Sequence, residues 1–475
     1  KKKKNIKKNL QIKTAFIFFG LSLCNCSNSK DPSDLLPPYV IPEIPNTPEQ
    51  PDEAGPQPGN GTDYYVSSTL GSDDNAGTAE KPFQSIAKAA GVAKPGDKVN
   101  IMNGTYTTKS GPILNLKSQQ SGTEGNYITY RAHAGHKPII YATGEVWNAI
   151  QINASYIIID GLELKGDNAS LTYEAAKKAY DDAKAGTVSP QGKFNTNALT
   201  IGGSKKESQL PHHVTVRNCV VHDFPGSGLN AIQADYIRLE NNVVYNTSWY
   251  TMYATSGMSI LCPYNSDGNE GYKIIIRNNT CYNNKTTVPW INTNKLSDGN
   301  GIIIDINNKP YDGGVIETNE PYRARTLVQN NVCYNNGGSG IHAFESNHVD
   351  IVNNTAYKNA RVMTTYGNIY AAYAEDVYIL NNIIHAGGGV CTTNNYNQNV
   401  IYDYNIYFDG TVAAPGRNDK TADPKFKKAS VDPIEANFKV EDSSPAIDSG
   451  TQAKSPAKDQ EGAIRPKGAG IDRGA

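Results

Sequence analysis

The chain has 475 residues and a formal net charge of −1, with 38% hydrophobic and only 19% charged residues. From Asp63 onward, 37 basic side chains stand against 40 acidic ones, which excludes a basic nucleic-acid footprint and any global positive field that would draw in a polyanion. An acidic ligand would therefore need local cations or a bound metal.

The first element reads as an export signal. Lys1 to Lys4, Lys7, Lys8 and Lys13 precede an apolar run from Thr14 to Cys24, which is too short to span a bilayer. No A-x-A-like cleavage site follows. The run ends in Leu21-Ser22-Leu23-Cys24-Asn25-Cys26, which resembles a bacterial lipobox with Cys26 or Cys24 as the lipidated residue; the alternative is a plain signal peptide. Residues 1–26 thus form a lipoprotein signal region. Residues 27–62 are rich in proline and acids, bury too little apolar area to fold, and act as an extended tether. The body is expected at the bacterial cell surface or outer membrane, extracellular or periplasmic, monomeric, and held to the membrane only by its lipid.

Residues 63–475 form one domain: a capping segment to about 110, coils from about 111 to 410, and an irregular tail over about 411–475. Phe83 to Ala93 is an amphipathic helix that would cover the open end of a solenoid, whose bare backbone otherwise invites aggregation. The coils announce themselves as HVTVRNCVVHD, YIRLENNVVYN, KIIIRNNTCYN, TLVQNNVCYN, HVDIVNNTAYKN, DVYILNNIIHA and NVIYDYNIYFD. One column holds Leu162, Cys219, Asn242, Asn279, Asn331, Asn354, Asn382 and Asn405. A second, two residues on, holds Leu164, Val221, Val244, Cys281, Cys333, Ala356, Ile384 and Tyr407. Columns two residues apart on a strand share a face, so both point inward and Cys281 and Cys333 are core filler.

Stacked asparagines escape the cost of burial when amides bond between coils about 4.8 Å apart. β-branched residues in period-2 alternation exclude an α-solenoid. The smallest interval, 23 residues, is too short for a propeller blade. The fold is all-β, a right-handed parallel β-helix. Longer intervals of 57, 37 and 52 residues mark inserts at about 166–196, 246–256 and 283–297, before a second strand of each coil, and at about 262–272 and 306–325, after it. The first insert contains a helix, LTYEAAKKAYDDAKAG. Loops gathered on one face of a solenoid usually build its cleft.

Across residues 63–145, YYVSSTLGSDDNAGTAEKPFQSIAKAA, KPGDKVNIMNGTY and SGTEGNYITYRAHAGHKPII resemble the N-terminal part of pectate-lyase-like β-helix proteins. The resemblance is closest to polysaccharide lyase family nine and the chondroitinase B and alginate lyase group. It implies a carbon–oxygen lyase acting on an acidic, uronic-acid-containing polysaccharide by β-elimination. It also implies Ca²⁺ on clustered aspartates and a base near the abstracted proton.

The matching region is SDGNGIIID, with Asp298 on the loop entering a strand and Asp305 facing outward; these are the expected metal ligands, although the family's tighter acidic cluster is not reproduced. The same residues would otherwise serve as a turn cap and a strand end. His342 shares an outward column with Thr200, Asn230, Ser259, Ile303 and Tyr370; His342 or Lys295 is the expected base. Lys309 flanks the same strand. Arg323 and Arg325 are expected to grip a carboxylate, and Trp249, Trp290 and Tyr311 to stack on sugar or anchor their loops. Two other readings stand beside the lyase. One is a glycoside hydrolase with carboxylates roughly 5–9.5 Å apart, Asp298 with Asp305 or Asp312. The other is a non-catalytic surface glycan-binding protein.

Overall fold

Short runs of alternating β-branched residues, broken at asparagine and glycine corners, assemble into three parallel sheets. The computed structural model describes residues 55–203, 209–310 and 320–475. The expected signal and tether up to residue 54, with Cys24 and Cys26, lie outside the described residues, as do Tyr311 and Asp312; residues 55–62, expected to belong to the tether, instead pack on the body, with Pro58 bridged to Tyr127 and the Pro56 carbonyl accepting from Arg217. Among the described residues the first sheet has eleven strands, from Asp63–Val66 to Gln398–Asp403. The second has nine, from Leu114–Leu116 to Asn394–Asn395, and the third eleven, from Thr105–Ser110 to Lys420–Thr421. Each strand pairs in parallel with its counterparts one coil before and one coil after, which makes a β-helix. Parallel crossovers of this kind are right-handed.

One continuous core fills the bore. It includes Val221, Val244, Cys281, Cys333, Ala356 and Ile384 in register, as the inward column requires. At the N-terminal end, helix α1 (Ile86–Val92) buries Ile86, Ala89 and Ala90 against the first coils. Ser85 caps it by accepting from the Lys88 amide.

The asparagine column is real but sits at corners rather than on strands. Asn241 and Asn242, for example, turn the chain from strand Asp235–Glu240 of the first sheet into strand Val243–Tyr245 of the third. The first residue of each corner is left-handed, with φ of 56° at Asn241, 58° at Asn278 and 55° at Asn330, a region that asparagine tolerates. The second points inward. Asn331 Oδ1 accepts from the backbone and side-chain amides of Asn279, both at 3.0 Å. Its Nδ2 donates to Asn354 Oδ1 at 3.0 Å and to the Ile276 carbonyl at 2.9 Å. A second ladder, through Asn284, Asn336, Asn359 and Asn368, closes the corner between the third and second sheets.

The C-terminal tail is a strap laid back over the first corner. Asn381 donates to Thr451 O, Lys454 Nζ to Asp350, Asn330 to Lys458 O, and Gln460 to Asn279 O. Arg473 then returns to the Asn405 carbonyl at 2.7 Å.

All five body cysteines are buried and free. Burial pushes the Cys219 thiol up to about 12 and that of Cys391 up to about 11. Since the thiolate is the reactive species, peptide mass spectrometry after maleimide treatment should find these five unlabelled in the folded protein and labelled only after denaturation.

Candidate active site

The inserts flank the second sheet on both sides. Before its strands, helix α2 (Tyr173–Lys184), capped by the Thr172 hydroxyl, packs Ala176, Ala179 and Tyr180 with Phe194 onto Met252 and Val288 of the next two inserts. The Tyr180 hydroxyl donates to Asn294 Oδ1 at 2.9 Å, which ties the inserts into one wall. After the strands, Tyr322 donates to Asp235 at 2.6 Å and Asn265 to the Pro321 carbonyl, which ties the two opposite inserts together. Between the walls lies the outward face of the sheet. Gln151, Thr200, Asn230, Ser259, Ile303, His342 and Tyr370 stand there in one column, coil after coil.

Strand Ile302–Asp305 buries Ile302 and Ile304 in the core, so Asp305 faces the trough. Its approach is a forced turn. Asp298 and Gly299 have φ of 64° and 70°, and a Cβ at Gly299 would meet the Lys285 Cα at 2.7 Å, so only glycine fits. The turn presents the Asp298 carboxylate to Ser297 Oγ at 2.8 Å and Asn300 Nδ2 at 3.2 Å. Asn300 is itself fixed, bonded to Ser256 Oγ and accepting from both the amide and the hydroxyl of Ser339.

Burial raises the Asp298 carboxyl to about 6 in spite of these donors. Asp305 is pushed up to about 8, first by burial and then by the charges of Asp298 and Glu345, with Lys309 opposing. Both carboxyls keep some solvent contact although protein crowds them on most sides.

The other expected site residues fall differently. His342 is on the predicted column, but it is only 5% exposed, stacked on Tyr370, and held down to about 3 by burial. It stays neutral at ordinary pH, a poor match for a base that should titrate near the working pH. Lys295 is exposed on the wall. Lys309 pairs with Glu345. Arg325 belongs to the first sheet, where Asp350 and Asp376 take its guanidinium and hold it protonated. Arg323 pairs with Glu320, and with Arg325, Glu270 and His348 lines a separate cavity of about 250 Å³. Trp249 anchors its loop, its indole donating to Asn283 O with the Lys285 ammonium 4.2 Å from a ring centroid. Trp290 is half-buried, its amide bonded to Lys295 O. Asn300, Ser256 and Ser339, which orient Asp298, were not singled out in the sequence.

Calcium takes about six to eight oxygen ligands, carboxylates prominent among them. Here Asp298 already accepts from two protein donors, Ser297 and Asn300. Among the described residues no three His, Cys, Asp or Glu side chains are arranged to hold a metal ion. The donor set does not fit a dedicated calcium site.

The family described as the Pel9A-like, right-handed β-helix region matches residues 64–376. The chain is 27% identical over 357 residues to the uncharacterized protein YwoF of Bacillus subtilis, covering 62% of this chain and 74% of that one. It is 26% identical over 230 residues to a lacto-N-biosidase of Bifidobacterium longum, 42% of this chain but 14% of the enzyme. To pectate lyase PEL9 of Emericella nidulans it is 36% identical over 109 residues, 23% of this chain and 21% of the lyase. The chain thus spans less than a quarter of the length of either named enzyme.

Proposed function

The chain belongs to the Pel9A-like right-handed β-helix family, and from the site's geometry we propose that it cleaves glycosidic bonds of a polysaccharide by hydrolysis at Asp298 and Asp305. One observation carries the proposal: two neighbouring carboxyls, Asp298 on the turn before strand Ile302–Asp305 and Asp305 at its end, are raised to different values, about 6 and about 8. Paired carboxylates whose environments push their titrations apart are how hydrolases divide acid from base. Near neutral pH Asp305 holds its proton and donates it to the departing glycosidic oxygen. Asp298 is ionised, aimed by Ser297 and Asn300, and either attacks the anomeric carbon or takes a proton from the water that does. The likeness to a lacto-N-biosidase supports this chemistry.

A second reading, β-elimination from a uronic-acid polysaccharide, is favoured by the likeness to a pectate lyase. It would draw its base from Lys295 or Lys309, and a Ca²⁺ neutralising the uronate would need ligands beyond Asp298 and Asp305. In either case the basic and apolar start of the chain and its proline-rich stretch support an exported body on a lipidated Cys24 or Cys26.

Incubation with neutral oligosaccharides and with polyuronides, scored for new reducing ends and for absorbance of a C4–C5 double bond, separates the two. Hydrolysis gives reducing ends, no absorbance and no response to EDTA. An absorbance rise abolished by EDTA would replace it with metal-dependent elimination.

A further inference from the structure

Of the three tryptophans, Trp249 and Trp290 are half-buried in the wall, whereas Trp147 is 44% exposed. It stands at the corner that opens strand Asn148–Ile152 of the second sheet, directly after Val146, which is sealed in the core. Its carbonyl accepts from the Asn197 amide one coil on, so the backbone beneath the indole is fixed. Its ring meets that of half-buried Tyr253 at 6.2 Å, tilted by 54°. Single exposed apolar residues are ordinary, but two aromatic rings together, bordered by the part-exposed amides of Asn148 and Asn197, mark a place where something binds.

This platform is joined to Asp298 in two ways. One loop, residues 251–256, reaches both. At its start Thr251 Oγ1 donates to Asn195 Oδ1 at 2.8 Å, and Tyr253 follows against Trp147. At its end the Thr255 carbonyl accepts from the Gly299 amide at 2.8 Å, and Ser256 Oγ bonds Asn300 Nδ2 at 3.1 Å. The loop that meets Trp147 thus also holds the turn of Asp298. The floor of the trough supplies the other link. Gln151, Thr200, Asn230 and Ser259 lead in register from the strand after Trp147 to Ile303, two places before Asp305. None of the four is charged. Thr200 Oγ1 donates to Asn148 Oδ1 at 2.6 Å and accepts from Asn230 Nδ2 at 3.0 Å, so this floor is set before a ligand arrives.

Four coils separate strand Asn148–Ile152 from strand Ile302–Asp305, a span of about 19 Å from the spacing of parallel strands. That is longer than a disaccharide and is filled by a chain of several sugar rings. A pyranose offers a C–H face to an aromatic ring and hydroxyls to amides, which is what the platform and the floor provide. We propose that Trp147 and Tyr253 form a distal stacking subsite for a pyranose several units from the bond that is cleaved, so that the substrate is a polysaccharide chain laid along the trough. The inference rests on reading this trough as the glycan-cleaving site and adds the length of the substrate; it does not depend on hydrolysis over elimination.

The test compares wild type, Trp147→Ala and Trp147→Phe by two readouts, with circular-dichroism melting as the check on folding. One is retardation in native gels containing xylan, glucomannan, galactan or polygalacturonate. The other is the gain in kcat/KM from trimer to hexamer of whichever polymer is cleaved, with products scored for reducing ends and for a C4–C5 double bond. Trp147→Ala is expected to lose retardation and to shrink that gain roughly three- to ten-fold, the worth of one aromatic contact. Trp147→Phe should recover most of both, since it keeps an aromatic face. Trp147→Gln repeats the test should the alanine variant fail to fold. Retardation and chain-length gain that stay at the wild-type level in the alanine or glutamine variant overturn the subsite and leave hydrolysis standing. Unsaturated products together with the expected losses overturn hydrolysis and leave the subsite standing. A wild type that none of the four polymers retards overturns the subsite as well.

Discussion

Replacing Asp298 by asparagine is expected to lower turnover by about 10²–10⁴-fold, the usual worth of a positioned acid or base, and Asp305→Asn to do the same on substrates with a poor leaving group. The wild-type pH profile of kcat/KM should be a bell, rising as Asp298 ionises near 6 and falling as Asp305 loses its proton near 8. Asp305→Asn should abolish the alkaline limb. Stability should move the opposite way. Between the ordinary carboxyl value and about 8 the folded chain holds a proton on Asp305 that the unfolded chain has released. This contribution therefore favours the fold at low pH and fades as pH rises through that window. Asparagine cannot ionise, so Asp305→Asn should melt above wild type at pH 9 and level with it near pH 4. A variant that melts below wild type at pH 9 would show that Asp305 is not held in a charge-averse place, and the acid role would go with it.

The second large effect is structural. Asn331→Ala should destabilise the fold by about 3–5 kcal/mol in urea unfolding. It strands the backbone and side-chain donors of Asn279 and the Ile276 carbonyl inside the solenoid, and each buried orphan costs about 1–3 kcal/mol. Asn331 is fully buried between coils on both sides, which leaves little room for water to take over its bonds. A loss below about 1 kcal/mol would mean that water enters the ladder after all.

The fold was legible because the solenoid repeats the same short message. Period-2 strands, an asparagine every coil and an apolar residue two places on leave few other architectures. The second ladder escaped notice although it carries a signal. Asn284, Asn336 and Asn359 each lie five residues after Asn279, Asn331 and Asn354, but the inserts that begin there hide the regularity. Strand parity placed Asp305 and His342 on the outward face of the second sheet, and the glycines placed Asp298 on the loop before it. Their electrostatics were not legible, because the protein atoms that enclose them come from residues distant in sequence, among them Tyr366 and Tyr370. For His342 the outer face of the strand proved to be an interior. Arg325 misled for a similar reason, since Asp350 and Asp376 arrive one and two coils later.

A stack of coils behaves as a one-dimensional array in which each member knows only its neighbours, and such arrays fray from their ends. The C-terminal strap changes that connectivity. By bonding in turn to the corners at Asn381, Asn330 and Asn279 and then coming back to Asn405, it ties coils that share no contact of their own. The terminal coil cannot peel away singly, because the strap that would leave with it also holds coils deeper in the stack. Fraying at this end is thereby converted from a sequence of small steps into one large concerted step, with a correspondingly higher barrier to unfolding.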